Sequence, residues 1–359
     1  MMRKKIVSLC MALALCLSLL PATALAAGSN TVYVGGVALT GSSENIVYAT
    51  TNGDGEVITK DAAAGNYNIM WDGSTLTLRN ATIKKQLEVY DDPLIYIAGA
   101  AIGVFNQSGD ANLTITLEGT NTIEDVSYGI CVLALSTGSA NLTITGSGSL
   151  DVSATSTGIR IQSHSGDAAV SINNAKVTAT AQWAVNVRCG TNSSASLTVN
   201  GGNLTSSGKP GILYDTVESS ILSTIKFIVS NSALVDARGG GIGAGSLLDL
   251  KEVSPADDSV GIVFGHDRSD SKAGTVYGDV TLQEDLTIGE GESLTLADDN
   301  AKLNANGHNV IVNGGTVDDS IKTSLGESVK YPPDITTTTL SSGTVNQSYT
   351  AQLSATGSD

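Results

Sequence analysis

The chain has 359 residues and a formal net charge of −16, with 41% hydrophobic residues, 15% charged residues, 4% aromatics and 40 glycines. That acidity repels nucleic acid and anionic membrane surfaces, which speaks against either as a partner. The aliphatic content excludes intrinsic disorder, and the glycine-rich, aromatic-poor balance fits a turn-rich all-β protein with small core side chains.

Residues 1–26 read as a signal peptide. Arg3, Lys4 and Lys5 precede an apolar stretch from Ile6 to Leu20, and Ala24-Leu25-Ala26 offers a small-residue cleavage site. The stretch is short for a membrane span, and no later segment is long and apolar enough for one. The mature chain is therefore expected to be secreted or associated with the cell wall, to insert in no membrane, and to be monomeric. Losing the leader's three basic residues takes the net charge from −16 to −19.

Residues 27–74 read as N-terminal capping strands at Thr31–Val34, Asn45–Ala49 and Tyr67–Trp71, with Trp71-Asp72-Gly73-Ser74 as a tight turn. Such a cap is needed because the open end of a sheet stack is an unpaired edge.

From residue 75 to residue 250 one spacing returns. Two apolar residues flank a single residue, and a third apolar residue follows four polar or small ones: Leu76–Leu78–Ile83, Val170–Ile172–Val177, Leu197–Val199–Leu204, Phe227–Val229–Leu234 and, further on, Val310–Val312–Val317. Leu113–Ile115–Ile123 and Leu142–Ile144–Leu150 carry insertions in the second gap. A second series starts at Ala101-Ile102 and runs through Gly129-Ile130, Gly158-Ile159, Ala184-Val185 and Gly211-Ile212 to Gly241-Ile242, with steps of 26–30 residues. Each step holds three short runs of period-two alternation separated by Gly, Asn, Ser and Asp. Short alternating strands stacked at a fixed period predict a right-handed parallel β-helix, a solenoid with three strands per coil and an aliphatic core. Residues 251–328 break the period with an irregular excursion and then resume terminal β-solenoid strands.

Only two cysteines lie beyond the leader, Cys131 and Cys189, two coils apart. Coils rise about 4.8 Å each, so the backbones are too distant for a bridge. Both thiols are expected to be free.

The chemistry of enzymes is thin. The three histidines sit on separate segments, and no zinc spacing, nucleophile elbow or phosphate loop is present. Glu124 and Asp151 follow the third apolar anchor on successive coils, so the pair is a candidate holder of Ca2+, with Arg160 on a neighbouring strand. Asp110, Ser139, Asp167 and Ser194 recur in one turn, where Asx capping accounts for them, and Asn112 and Asn141 are expected to form an amide ladder. In a chain so poor in aromatics, Tyr128 and Trp183 both precede the Gly/Ala–Ile/Val strand, with Tyr214 and Phe105 beside it. Sugar rings stack on aromatic faces while their hydroxyls seek planar polar groups, so Tyr128, Trp183, Tyr214 and Arg160 are the candidate ligand-binding residues.

The segment Asn141-Leu142-Thr143-Ile144-Thr145-Gly146-Ser147-Gly148-Ser149-Leu150, with Thr157-Gly158-Ile159 and Leu197-Thr198-Val199-Asn200-Gly201-Gly202, resembles the carbohydrate-binding β-helix family of Gram-positive surface proteins. That resemblance implies a pectate-lyase-like fold and an association with cellulose, acidic plant polysaccharides and Ca2+. Residues 329–359 comprise a linker at Tyr331-Pro332-Pro333 and a stretch that resembles the opening strands of a bacterial immunoglobulin-like domain, whose sandwich this chain would begin. The expected function is non-catalytic binding of a polysaccharide (plant cell-wall, mucin or bacterial cell-wall glycan) or adhesion. The alternatives are a Ca2+-dependent polysaccharide lyase on the same scaffold and a ligand-free structural stalk.

Overall fold

In the computed structural model, which describes residues 31–335 except 89–93, 217–223, 247–248 and 268–269, together with part of 336–359, the chain winds into a β-solenoid of about seven turns. The expected signal peptide, residues 1–26, lies outside the described residues.

Each coil contributes to three faces. The first face stacks Ala100–Asn106, the end of Thr120–Ala134, the end of Ser149–Ser163, Trp183–Cys189, Ile212–Thr216 and Ile242–Ser246 in parallel. The second stacks Thr75–Arg79, Ala111–Glu118, Ala140–Thr145, the start of Ala168–Thr180, the start of Ser194–Ser207 and Thr224–Ser230. The third begins at Thr82–Ile83 and ends at Ala233–Asp236 and Gly261–Phe264, so parallel stacking runs past residue 250.

Inward residues of one face stand above one another. Ile102, Ile130, Ile159, Val185, Ile212 and Ile242 are register partners in a single buried column. Leu113, Leu142, Val170, Leu197 and Phe227 form another. Each buried aliphatic side chain contributes about 1.5–3 kcal/mol, and a column shares that burial between coils, so no coil is stable alone.

The small residue that opens each first-face strand has a steric cause. A Cβ on Gly129 would stand 2.4 Å from the Gly158 carbonyl oxygen, and one on Gly158 would stand 2.6 Å from the Ala184 oxygen. No side chain, not even the methyl of Ala, fits at those two positions without a shift, whereas the equivalent place on the next coil takes Ala184.

The cap works by changing strand direction. Thr31–Val34 pairs antiparallel with Ala100–Asn106, and Ile69–Trp71 pairs antiparallel with Thr75–Arg79, so both faces end on a paired strand. The Asp72 carboxylate accepts from the Ser74 N–H, the Ser74 hydroxyl and the Thr75 N–H at 2.7–2.9 Å. Partial burial opposes its ionisation, but these hydrogen bonds outweigh burial and hold the carboxyl below its usual value. A depressed pKa contributes stability that is present above the unfolded value of about 3.9 and lost as pH falls through the lower folded value. Asp72→Asn is thus expected to be less stable than wild type by on the order of 1 kcal/mol at pH 7, with the gap closing in acid below pH ~4. Urea midpoints measured across that range check it, and a gap independent of pH would contradict it.

The register differs from the sequence expectation in two coils. Leu150 lies opposite Asn121, and Ile123 lies opposite Val152; further on, between Ile123 and Tyr128, a bulge at Asp125, φ 61°, interrupts the ladder. The inward slot of that coil is therefore filled by Asn121, fully buried. Later, Val235 rather than Leu234 takes the inward slot opposite Leu204, and Leu234 turns outward against a second core.

That second core belongs to a shorter three-sided coil. Ala273–Tyr277 turns antiparallel to Gly261–Phe264, then stacks in parallel with Ser293–Leu296 and Thr316–Val317. Leu286–Ile288, Val310–Val312 and Val329–Lys330 make another face, and the helix Asp319–Leu325, capped by Asp318, closes the end. Beyond it, Asp334–Ile335 pairs with Ala355–Thr356.

Candidate functional site

The outward side of the first face carries a cleft of about 190 Å3, lined among others by Tyr128, Thr157, Arg160, Trp183, Arg188 and Asp215. Stacking assembles it. Tyr128, Thr157 and Trp183 are register partners on three successive coils, and Arg160 stands opposite Asn186. Since Val185 and Val187 point inward, Asn186 and Arg188 point outward on the strand that Trp183 opens. Leu213, 3% exposed, floors the next coil.

Arg160 sits 5.6 Å from the Tyr128 ring centroid and donates to Gln162 Oε1 at 2.7 Å. Its situation differs from that of the other described arginines. Arg79 meets Glu118, Arg188 meets Asp215 at 3.5 Å, and Arg238 meets Asp236 and Glu292. Among the described residues Arg160 meets no carboxylate, although the chain is strongly acidic. A guanidinium held by an aromatic face and a neutral amide keeps donors free for an incoming anion.

Three of the four expected ligand residues, Tyr128, Trp183 and Arg160, thus meet in one cleft. Tyr214 does not. It lies opposite Val187 in an inward column and is 1% exposed, so its ring packs in the core and offers no face to a ligand. Its hydroxyl is buried without a hydrogen-bond partner, and burial drives the phenol far above its usual pKa. Tyr214→Phe is accordingly expected to leave stability unchanged or raise it by about 1 kcal/mol. A thermal melt that instead drops by several degrees would show that the hydroxyl is paired.

The Glu124–Asp151 pair is also corrected. Asp151 lies opposite Thr122, two residues from Glu124, and Lys84 Nζ holds Glu124 Oε1 at 2.7 Å. The two carboxylates are diagonal rather than direct neighbours, and the Lys84 ammonium already occupies Glu124. No group of three His, Cys, Asp or Glu side chains converges among the described residues.

The thiols are free, as expected, and both are buried. Cys131 stands opposite Arg160 on the outward side of the face, yet it is fully covered. Burial pushes its thiol up to about 11, the nearby Arg160 charge pulling the other way, so it stays protonated at neutral pH. The repeated turns are structural: Asp110 accepts from the Ser139 N–H at 2.8 Å, Asp167 from the Ser194 N–H at 2.7 Å, and Asn141 donates to Asn112 at 2.8 Å.

Sequence reasoning missed Thr157, Asn186, Arg188 and Asp215. The signal was available for Asn186 and Arg188, as the outward alternates of Val185 and Val187. No family model, curated protein or solved structure matches this chain.

Proposed function

We propose that this protein is an exported, surface-displayed module that binds an acidic polysaccharide, without catalysis, in the cleft of the first face. The observation that carries the reading is Arg160, a guanidinium that meets no carboxylate among the described residues and lines one cleft with Tyr128 and Trp183. Trp183 and Tyr128 supply apolar faces for the C–H side of sugar rings, and Arg160 supplies charge-assisted hydrogen bonds to a carboxylate or sulfate. The chain's net negative charge opposes approach of such a ligand, but the Debye length at physiological salt is about 8 Å, so contacts inside the cleft outweigh distant repulsion.

A lyase on this scaffold needs clustered carboxylates to hold Ca2+ beside a uronate. Glu124 and Asp151, the pair that would begin such a cluster, are not register partners, and Lys84 already holds Glu124, so binding is the reading the arrangement favours.

The test is retention on immobilised plant, mucin and bacterial cell-wall glycans, with polygalacturonate as the reference acidic polymer. Wild type is expected to be retained on polygalacturonate. Arg160→Ala is expected to weaken retention about tenfold to a hundredfold, the worth of a charge-assisted hydrogen bond of roughly 1.5–3 kcal/mol, and Trp183→Ala about as much. Circular dichroism melts of both variants should match wild type, because neither side chain is in the core. Wild-type protein that passes every acidic glycan unretarded removes the reading.

A further inference from the structure

The cleft is closed at one end. On the outward side of the first face, Cys131 is the neighbour of Arg160 and Leu133 is the neighbour of Gln162, so the groove that Arg160 and Gln162 line would continue over them. It does not, because Cys131 and Leu133 are 0% and 1% exposed, packed in one cluster with Leu87, Ile97 and Ala100. Residues 87 and 97 cross the face there and are anchored to it. The Leu87 N–H donates to the Ala100 carbonyl at 2.9 Å, and the Gly99 N–H donates to the Leu87 carbonyl at 2.7 Å. The Ser127 N–H donates to Gln86 Oε1 at 2.7 Å, next to Tyr128, whose ring packs on the same cluster.

The wall and the free cation are adjacent. Arg160 stands on the coil next to Cys131, so its guanidinium lies at the blind end of the cleft. From Arg160 the open part passes Asn186 and Arg188, then Leu213 and Asp215, to Gly245. At about 4.8 Å per coil this is about 14 Å. The enclosed volume of about 190 Å3 is smaller than the roughly 300–1,000 Å3 of pockets that take drug-sized ligands. A polymer laid along the coil axis by its interior would collide with Leu87 and Ile97. A chain end would not.

We infer that the cleft reads the end of a glycan chain, with the carboxylate or sulfate of the terminal sugar on Arg160 and the following sugar over the Trp183 side. The inference rests on the acidic-glycan reading above and adds a mode of attachment to it: one protein per chain end, independent of chain length.

The experiment uses the whole protein with polygalacturonate as polymer and trigalacturonate as the short probe. Trigalacturonate is expected to compete with the polymer within about threefold when the two are compared per mole of chain ends. Random mild cleavage of the polymer at constant mass is expected to raise the protein bound per gram in proportion to the new ends. If the polymer retains the protein but trigalacturonate does not compete and cleavage leaves capacity flat or lower, the chain-end inference is overturned while acidic-glycan binding stands. If the polymer retains wild type and Arg160→Ala alike, binding lies elsewhere and the inference falls with the cleft. If the polymer does not retain wild type at all, both readings fall together.

Discussion

Asn121→Ala is expected to lower the unfolding free energy by about 3–5 kcal/mol, the largest effect of any polar substitution in the coil. Asn121 is 0% exposed in a column otherwise filled by Leu and Val. Its Oδ1 accepts from the Ala81 N–H at 2.9 Å, and its Nδ2 donates to the Glu118 carbonyl at 3.3 Å and the Ser149 carbonyl at 3.1 Å. One amide therefore ties three successive coils just ahead of the bulge that interrupts the ladder. Removing it strips partners from three backbone groups, each costing about 1–3 kcal/mol when left unpaired in the interior, and opens a cavity.

Asn121→Leu separates the two costs. Leu fits the column and regains about 1.5–3 kcal/mol of burial, so it should fall between wild type and Asn121→Ala. Urea unfolding of the three proteins measures the ranking. An Asn121→Leu variant as stable as wild type would mean that the backbone groups find other partners.

Arg238→Ala is expected to release the C-terminal coil from the long one. Arg238 donates from Nε and Nη2 to Asp236 at 3.0 and 2.6 Å, and from Nη1 to Glu292 at 2.5 Å and to the Thr287 carbonyl at 3.3 Å. Its guanidinium carbon lies 4.3 Å from the Phe264 ring centroid. Asp236 ends the third-face strand Ala233–Asp236 of the main stack, and Glu292 belongs to the second coil, so this side chain joins the two cores. The three side chains are 15–22% exposed, so water screens them in part, and the cost falls below the 3–5 kcal/mol of a fully buried pair. About 2 kcal/mol is expected.

The sharper signature is spatial. Hydrogen exchange in the Arg238→Ala variant should speed up across residues 273–330 and stay slow in the first-face strands. Arg238→Lys should not restore protection, because an ammonium cannot fork onto Asp236 while spanning to Glu292. Uniform exchange across both coils would sink the idea that this joint is what couples them.

Much of the fold was legible because a solenoid repeats its local rules. The Gly/Ala–Ile/Val series placed the Ile159, Val185 and Ile212 column correctly, since each strand is short and bounded by its own turn. The coil period also kept Cys131 and Cys189 apart. Where one residue was gained or lost, the same rules misled. With Asn121 rather than Ile123 opposite Leu150, an amide took a core slot and Glu124 fell out of line with Asp151, and a one-residue shift exchanged Leu234 for Val235. Tyr214 was readable: with Ile212 inward, the residue two further on must point inward too.

The amino-acid order by itself determined the stacking, because period-two alternation between glycine and Asx turns leaves an aliphatic face that only a neighbouring coil can cover. It also brought Tyr128, Trp183 and Arg160 to one side of one sheet. What only the tertiary structure decided is which outward residues stay open. Cys131 and Arg160 hold equivalent outward places on adjacent coils, yet one is sealed and the other is free, because Leu87 and Ile97 arrive from outside the period to cover the first and stop short of the second. Covering of that kind is a contact between segments distant in the chain, and no local pattern encodes it.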